Sequence, residues 1–268
     1  MSENRHVPDH AMKYCVVVAS NSEEVLDRNL CASPMIREGL VGLHVERGAR
    51  SAALAYNRGL DATDAPYIIF AHQDVYFPAN WEKRLTQTIE RLDREAPNWA
   101  LVAPFGVTKE GVHTGPVWTS SLGRTVGKPA EGLVPVESFD ELAFVLRRDS
   151  GLRFDEGLPG YHMYGTDIVQ TALSQGMGAY CANLPVVHND SFHDYLYEDF
   201  ATSYHYIRRK WVKRLPVRSP MLWISRHGMH LPLQRLRMRK SMEKRRSMAV
   251  STDADPFQYA ANSGWAKL

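Results

Sequence analysis

The stretch YIIFAHQDVYF, residues 67–77, is an apolar run interrupted by His72, Gln73 and Asp74. Side chains two positions apart on an extended backbone point the same way, so His72 and Asp74 can approach one ligand together. Imidazole and carboxylate groups are both ligands for divalent metal ions. The tripeptide therefore indicates a cation or diphosphate site, although it is also compatible with a strand that ends at Asp74 over a packed His72.

Two further segments place polar groups at the ends of predicted elements. The apolar run PVVHND ends at His188, just as the first run ends at His72. In FDEGLPGYHMYGTDIVQTALSQG, residues 154–176, Asp167 stands where a helix is expected to begin. With Gln170 three residues later it matches a capping box, and a helix N-terminus stabilises an ionised carboxylate. From the residues alone, this pattern favours a helix cap.

The elements that must position these groups begin with short apolar runs rich in β-branched and aromatic residues. Such runs suit central strands of a sheet covered on both faces, and helical patterns lie between them. One such pattern places Trp81, Leu85, Ile89 and Leu92 at near-helical spacing after Asn80 as the N-cap residue. Strand alternating with helix predicts an α/β sandwich with a mostly parallel sheet, whose ligands gather at the carboxyl ends of the strands. The runs are YCVVVAS (14–20), VGLHV (41–45), YIIFA (67–71) and WALVAP (99–104).

The regular alternation weakens after residue 104, where a segment rich in Gly, Thr and Ser predicts a long loop with a hairpin. Residues 141–148 are then predicted as a strand, 167–176 as a helix that stops at Gly176, and 177–190 as extended chain. We expect residues 1–200 to form the compact catalytic domain and residues 201–268 to form an extension.

Charge is distributed unevenly along the chain. Residues 208–246 contain fourteen lysine or arginine residues and one acidic residue, Glu243, although the net charge of the whole chain is only +2. Aromatic residues lie between these bases, and Pro216, Pro220 and Pro232 interrupt them. The extension is therefore predicted to be basic and mainly helical, built from short, broken helices.

Several classes of protein are excluded by missing motifs. The chain has neither a GxGxxG dinucleotide fingerprint nor a GxxxxGK[ST] phosphate loop, which argues against a dehydrogenase and a P-loop NTPase.

The three cysteines, Cys15, Cys31 and Cys181, lack the spacing of a zinc site or a disulfide framework, so buried thiols are expected. The polar N-terminus and the lack of 18 consecutive apolar residues predict a cytoplasmic protein without a signal peptide or spanning helix.

The segment SAALAYNRGLDATDAPYIIFAHQDVYFPANWEKRL, residues 51–85, resembles GT-A glycosyltransferases, most closely the family 2-like members with HQD in place of Asp-x-Asp. The matching features are a helix ending in Asn57-x-Gly59-Leu60, an apolar strand, the acidic tripeptide and an aromatic-Pro-x-x-Trp segment. The resemblance runs from about Lys13 to Asn189. It implies a GT-A (Rossmann-like) three-layer fold and inverting transfer of a sugar from a nucleotide-sugar donor to a glycan or lipid-linked glycan, in polysaccharide assembly.

The resemblance also implies roles for individual residues. Asp74 matches the last Asp of Asp-x-Asp and would hold a divalent cation, Mn²⁺ or Mg²⁺, on the donor diphosphate. His72 replaces the first Asp, and an imidazole suits Mn²⁺ better than Mg²⁺. Asp167 would be the base that deprotonates the acceptor hydroxyl. The other expected site residues are His188 as a third metal ligand, Ser20, Asn21, Glu46 and Gln73 beside the nucleotide sugar, and His162 and Tyr164 on the acceptor side.

Other functions remain compatible with the sequence. A nucleotidyltransferase of similar fold is disfavoured, because the Gly-rich loop with Lys and Arg after its first strand is missing. A nucleic-acid-binding protein would use residues 208–246, where aromatic residues among cations suit base stacking. The same segment is alternatively predicted to contact an anionic membrane surface, or to pack on the domain or on a second subunit of a homo-oligomer.

Overall fold

The computed structural model describes residues 12–268, so the polar N-terminal segment that bears on the signal-peptide prediction lies outside it. The helices are α1 (Glu23–Arg28), α2 (Pro34–Arg37), α3 (Ala52–Asp61), α4 (Trp81–Glu95), α5 (Tyr164–Ser174), α6 (Glu198–Lys210), α7 (His230–Met248) and α8 (Pro256–Asn262), with a 3-10 turn at Arg148–Ser150. The strands are β1 (Tyr14–Ser20), β2 (Gly42–Arg47), β3 (Tyr67–His72), β4 (Val75–Tyr76), β5 (Trp99–Ala103), β6 (Gly106–Val107), β7 (His113–Thr114), β8 (Val117–Thr119), β9 (Arg124–Val126), β10 (Val134–Pro135), β11 (Ser138–Phe139), β12 (Ala143–Arg147), β13 (Gly178–Cys181), β14 (Val186–His188), β15 (Val217–Arg218) and β16 (Trp223–Ile224).

A seven-stranded sheet in the order β10-β13-β5-β12-β3-β1-β2 forms the centre of the described chain. β1, β2, β3, β5 and β13 share one direction, whereas β12 and β10 run antiparallel to their neighbours. The mostly parallel sheet is therefore confirmed. The pairing brings the carboxyl ends of β1, β2 and β3 to one edge, where Ala19 is in register with both Glu46 and His72.

Helices cover the sheet on both faces, because the side chains of each strand alternate between two apolar cores. Cys15 and Val17 of β1 belong to the core that includes α3 and α5. Val16 and Val18 belong to the opposite core, which includes α1, α2 and α4. This alternation follows from the two-residue period of a strand. The three-layer α/β sandwich expected from the sequence is confirmed.

The helix α3 packs unusually close to β1. Gly59 lies on the face of α3 that meets Val17, and a Cβ atom at position 59 would overlap the Val17 side chain. A glycine is therefore required for this close approach. The contact fixes α3 against the strand whose carboxyl end carries Ser20.

The helix α4 buries one face, as its sequence period predicts. Asn80 occupies the predicted N-cap position, but its side chain does not cap the helix. Its backbone is left-handed, with φ of 65°, and its Oδ1 accepts a hydrogen bond from Lys83 Nζ at 3.1 Å. The buried apolar residues are Trp81, Leu85, Ile89 and Leu92.

A second, four-stranded sheet in the order β4-β14-β8-β9 lies beside the carboxyl end of β3. The strand β4 follows the HQD tripeptide directly and pairs antiparallel with β14, which places His188 opposite Val75. The backbone N–H of Asn189 donates to the carbonyl oxygen of Asp74 at 2.8 Å. These backbone contacts hold His188 against Asp74.

The C-terminal extension is mainly helical and packs on the α/β domain. The helix α6 crosses the boundary expected at residue 200, and its Tyr204 and Ile207 share a core with α5. Near the end of the chain, Tyr259 stacks on Trp118 with ring centroids 3.8 Å apart. Packing therefore does not separate the extension from the domain. Within residues 12–268, no helix is both long and apolar enough to cross a bilayer.

The prediction of short, broken helices is wrong for α7, which runs for 19 residues. Pro232 lies in its first turn, where the missing N–H leaves no intrahelical hydrogen bond unmade. Pro216 and Pro220 fall in the segment between α6 and α7, where they do interrupt the helices.

Of the three expected buried thiols, Cys15 and Cys181 are buried and Cys31 is partly exposed.

Candidate functional site

Three side chains that can ligate a metal ion meet beside the carboxyl end of β3. His72 ends β3, Asp74 lies in the following turn and His188 ends β14, and their ligand atoms all lie within 4.8 Å of one another. The Oδ1 atom of Asp74 is 3.3 Å from His188 Nε2 and 4.0 Å from His72 Nδ1. The structure thus brings together the three residues predicted as metal ligands. We refer to them as the histidine–aspartate cluster.

The carboxylate of Asp74 has an unsatisfied oxygen. Its Oδ1 is buried and makes no hydrogen bond of good geometry with a described residue, although it lies 3.3 Å from His188 Nε2. Burial alone would raise the pKa of Asp74, but the charge of the neighbouring His188 outweighs it and holds the pKa well below its usual range. A buried carboxylate oxygen is stable only when it is paired or coordinated, and Asp74 is paired here with His188. The three side chains together are a donor set that fits a divalent metal ion.

The orientation of His72 is set by Tyr164. The Tyr164 hydroxyl donates to the carbonyl oxygen of Glu141 at 3.0 Å, so it accepts from His72 Nε2, which lies 2.8 Å away. The proton of His72 is therefore on Nε2, and the Nδ1 lone pair is left free on the side of Asp74. Burial lowers the pKa of His72, which favours the neutral, metal-binding form.

The protonation of His188 depends on its acidic neighbours. Burial alone would lower the pKa of this imidazole, but the carboxylates of Asp74 and Asp190 outweigh it and raise the pKa to about 10. Thr119 Oγ1 in turn donates to Asp190 Oδ1 at 2.6 Å. The polar surroundings of His188 therefore continue into the second sheet.

Gln73 fixes the loop that follows β1. Its Oε1 accepts hydrogen bonds from Ser20 Oγ at 2.8 Å, from Asn21 N at 3.1 Å and from Ser22 N at 3.2 Å. Its Nε2 donates to Asn21 Oδ1 at 2.7 Å. Gln73 therefore connects the HQD tripeptide to the loop after β1. Both were predicted to lie beside the nucleotide sugar.

Glu46 lies two strands away from His72, in the same row across the sheet. Residues in register on parallel strands project from the same face, and two strand spacings amount to about 10 Å. The Glu46 carboxylate is engaged on β2 itself, where His44 Nε2 lies 2.7 Å from Oε1. Glu46 therefore borders the same edge of the sheet as the histidine–aspartate cluster without joining it.

Asp167 is not a helix cap. The helix α5 begins at Tyr164 with Met163 as its N-cap residue, and Asp167 is the fourth residue of the helix. Its carboxylate is buried, with Oδ1 accepting from Trp211 Nε1 at 2.7 Å and Oδ2 accepting from Lys210 Nζ at 2.8 Å. Burial raises the pKa of Asp167, and Lys210 opposes that shift. The capping-box interpretation is therefore wrong.

Two residues beside the site, Glu141 and Lys210, are not marked by any sequence motif. Glu141 Oε1 accepts from the backbone N–H of Gly165 at 3.3 Å, so it supplies the cap that Asp167 does not. Burial and the neighbouring Asp140 raise the pKa of Glu141 to about 8. No motif marks Glu141, because it reaches α5 only through the fold. The sequence presents Lys210 only as one of the cations of residues 208–246, and its contact with Asp167 is formed by the fold.

The predicted acceptor-side residues contact different partners in the structure. Tyr164 is buried and its hydroxyl is used by His72 and Glu141. His162 lies in the loop before α5, partly exposed, with Nε2 3.2 Å from Asp199 Oδ2. No hydrogen bond or ion pair between described residues joins Asp167 or His162 to the histidine–aspartate cluster.

No protein-family model matches this chain. Among curated proteins, the ATP synthase subunits region ORF 6 protein of Fuscovulum blasticum is 28% identical over 162 residues, which cover 54% of this chain and 60% of that protein. The chain therefore spans less than two thirds of the length of the curated relative it matches.

Solved structures that resemble this one at low sequence identity include the following three. GalNAc-T7 with UDP, GalNAc and Mn²⁺ has a TM-score of 0.47 at 13% identity, over 97% of this chain and 59% of that chain. The mannosyltransferase PcManGT from Pyrobaculum calidifontis, in complex with GDP-Man and Mn²⁺, has a TM-score of 0.46 at 11% identity, over 96% and 77%. A197 from STIV has a TM-score of 0.40 at 12% identity, over 65% and 83%. Likenesses at this level assign no activity to the chain.

Proposed function

We propose that this protein is a metal-dependent glycosyltransferase that passes a sugar from a nucleotide-sugar donor to a hydroxyl of a glycan or lipid-linked glycan. The observation that carries the proposal is the histidine–aspartate cluster, in which an unsatisfied Asp74 oxygen lies between two imidazoles at the ligand-binding edge of an α/β sheet. The HQD segment at residues 51–85 supports the family 2-like, inverting assignment, and polysaccharide assembly is its expected setting.

The donor would be held at the carboxyl ends of β1, β2 and β3. His72, Asp74 and His188 would hold Mn²⁺ or Mg²⁺, with His188 giving up its proton when the ion binds. The bound ion would stabilise negative charge on the donor diphosphate. Two imidazoles and one carboxylate favour Mn²⁺ over Mg²⁺. The nucleotide side is assigned to Ser20, Asn21 and Glu46, with Gln73 holding the loop in place.

Asp167 is proposed as the base that deprotonates the acceptor hydroxyl, with His162 and Tyr164 on the same side. Its raised pKa suits a proton acceptor, because an ideal base titrates closer to neutral pH than a free Asp does. Both of its oxygens accept hydrogen bonds in this conformation, one from Lys210 at the end of α6 and one from Trp211, which follows α6 directly. A base role therefore requires an acceptor to displace Lys210 or Trp211.

The basic segment 208–246 is proposed to contact an anionic membrane surface at the cytoplasmic face, where a lipid-linked acceptor would be presented. Some of its cations are used within the chain, since Lys210 pairs with Asp155 and Asp167, and Arg235 pairs with Glu198. These contacts support the packing alternative for α6. A homo-oligomer, nucleic-acid binding and a nucleotidyltransferase of similar fold remain alternatives without a supporting observation.

The proposed donor site is tested by thermal unfolding with UDP-, GDP- and dTDP-sugars, with and without Mn²⁺. A donor at 100 times its dissociation constant stabilises the native state by about 2.7 kcal/mol, which raises the melting temperature by about 5–10 °C. We expect this shift to require Mn²⁺ and to disappear in Asp74→Asn. An Asp64→Asn variant, which changes an exposed carboxylate, is the control and should behave as wild type. Retention of the full shift in Asp74→Asn would contradict the proposal.

A further inference from the structure

A cavity of about 470 Å³ lies between the turn that joins β6 to β7 and the C-terminal extension. It contains no member of the histidine–aspartate cluster. Its walls come from three elements, the β6–β7 turn, the β15–β16 hairpin and the first turns of α7. The residues that line it include Gly111, Arg218, Trp223, His230, Gln234 and Arg237.

Arg218 is held rigidly in this cavity. Its guanidinium carbon lies 3.1 Å from the centroid of the Trp223 ring, and its Nε donates to the carbonyl oxygen of Lys109 at 3.3 Å. Gly111 has φ of +86°, and a Cβ there would lie 3.1 Å from Arg218 Nη1, so glycine lets the guanidinium lie against the turn. The ring of His230 packs against Trp223 with centroids 5.5 Å apart. A stacked, fixed guanidinium is suited to binding an oxyanion.

The surroundings of Arg218 carry an excess of positive charge. An adjoining cavity of about 450 Å³ shares Arg218 and also contains Lys109, Arg214 and Glu137. Among residues 12–268, no carboxylate lies within 4.0 Å of the charged atoms of Lys109, Arg214, Arg218 or Arg237. The acidic groups nearby are Glu137, whose Oε2 accepts from the Arg218 backbone N–H, and the exposed turn residue Glu110. Two cavities with four cations that lack an ion pair favour an anionic ligand. We call them together the cationic cavity.

An apolar stripe on α7 borders the cationic cavity. Met229, Leu233 and Leu236 follow one another at helical spacing and are 55%, 44% and 49% exposed. The adjacent row of the same helix, His230, Gln234 and Arg237, lines the cavity. Three exposed apolar side chains beside a cationic cavity place an apolar surface next to a charged one, which suits an amphiphilic ligand.

We infer that the cationic cavity and the apolar stripe together bind the phosphate headgroup of an anionic phospholipid at a bilayer surface. Arg218 and Arg237 would take the phosphate, and Leu233 and Leu236 would enter the apolar side of the interface. The inference deepens the membrane contact proposed above and does not depend on sugar transfer. A concave site beside an apolar stripe favours an amphiphile over a nucleic acid, which needs a groove that follows a long backbone.

The test is sedimentation of the full chain with vesicles of phosphatidylcholine alone or mixed with phosphatidylglycerol. We expect binding only to the mixed vesicles. Because each cation at such a surface contributes about a fivefold factor in affinity, Arg218→Gln/Arg237→Gln should weaken binding about 30-fold. The matched pair Lys240→Gln/Lys244→Gln removes the same charge from α7 outside the cavity, and its binding should fall by no more than about fivefold. Leu233→Gln/Leu236→Gln should weaken binding without any change of charge.

Three results would overturn the inference: indifference of the wild-type chain to mixed vesicles, an equal loss in the two charge pairs, or binding of duplex DNA without binding of vesicles. Because Arg218→Gln also removes the stack on Trp223 and could disturb the fold, Arg237→Gln is measured alone as well, since it changes an exposed residue and keeps that stack. Mn²⁺-dependent stabilisation by donors is measured on every variant. A variant that loses vesicle binding but keeps Mn²⁺-dependent stabilisation by donors would show that the two sites act independently. Absence of that stabilisation in the wild-type chain would count against the proposed glycosyltransferase function and not against the lipid site.

Discussion

At the scale of single residues, the candidate metal site depends on which nitrogen of His72 is free. The contacts of Tyr164 assign it: with the hydroxyl proton on the carbonyl oxygen of Glu141, the Tyr164 oxygen accepts from His72 Nε2. A hydrogen bond of this kind to a ligating histidine fixes both the tautomer and the ring orientation. The buried Tyr164 therefore affects the candidate metal site by orienting His72.

Tyr164→Phe should weaken Mn²⁺ binding about 10- to 100-fold, because His72 would lose the partner that keeps Nδ1 free. Isothermal titration with MnCl₂ measures the effect. Tyr56→Phe is the matched control, since Tyr56 is equally buried and its hydroxyl lies 3.4 Å from Tyr164. Equal Mn²⁺ affinity in Tyr164→Phe and Tyr56→Phe would show that the hydroxyl of Tyr164 does not position His72.

Asp167→Asn should lower turnover by about 10² to 10⁴, with donor affinity nearly unchanged, because an amide cannot take the proton of the acceptor hydroxyl. The measurement is a steady-state assay with a donor identified by thermal shift. Asp155→Asn is the control, since Asp155 also accepts a hydrogen bond from Lys210 but is not the proposed base. Similar losses in both variants would assign the effect to the Lys210 network instead.

At the scale of elements, the site depends on how closely the helices approach the strands that carry it. The helix α3 reaches β1 only because position 59 has no side chain. The same helix supplies Tyr56 to the aromatic cluster around Phe70 and Tyr164, with Tyr56 and Phe70 centroids 4.8 Å apart. The α3–β1 contact therefore supports β3 and α5 as well as β1.

Gly59→Ala should destabilise the protein by about 1–3 kcal/mol, even though alanine favours helices, because the added methyl group overlaps Val17. Urea unfolding followed by circular dichroism measures the change. Arg58→Ala, at the preceding exposed position of the same helix, should alter stability by no more than about 0.5 kcal/mol. A Gly59→Ala protein as stable as wild type would mean that α3 can shift away from β1 without loss.

At the scale of the whole molecule, the extension and the α/β domain are joined by a charged connection. Lys210 of α6 bridges Asp155 and the buried Asp167, and Tyr206 donates to Asp155 at 2.8 Å. The basic segment therefore has two parts, one whose cations dock α6 on α5 and one in α7 that borders the cationic cavity. A single description of residues 208–246 as a basic surface misses this division.

Lys210→Gln should destabilise the protein by about 1–3 kcal/mol, because the carboxylate of Asp167 would stay buried without its cation. Urea unfolding at neutral pH measures it. Lys213→Gln removes the same charge from an exposed position nearby and should have almost no effect. If both variants unfold alike, Lys210 does not hold α6 to the domain.

The sequence by itself determined the local features of this protein. The apolar runs at residues 14–20 and 67–71 identified β1 and β3, and the spacing of apolar residues identified α4, because strand and helix periods are carried by neighbouring residues. The position of the HQD tripeptide at a strand end followed from the same pattern. These features need no information from distant parts of the chain.

Only the tertiary structure decided what meets at the site. His188 and Asp74 lie far apart in sequence and meet because β14 pairs with β4, and strand pairing depends on global packing. The antiparallel direction of β12, the capping of α5 by Glu141 and the burial of Asp167 under α6 have the same origin. Each depends on a partner chosen by the whole fold, and the local pattern of residues does not contain that choice.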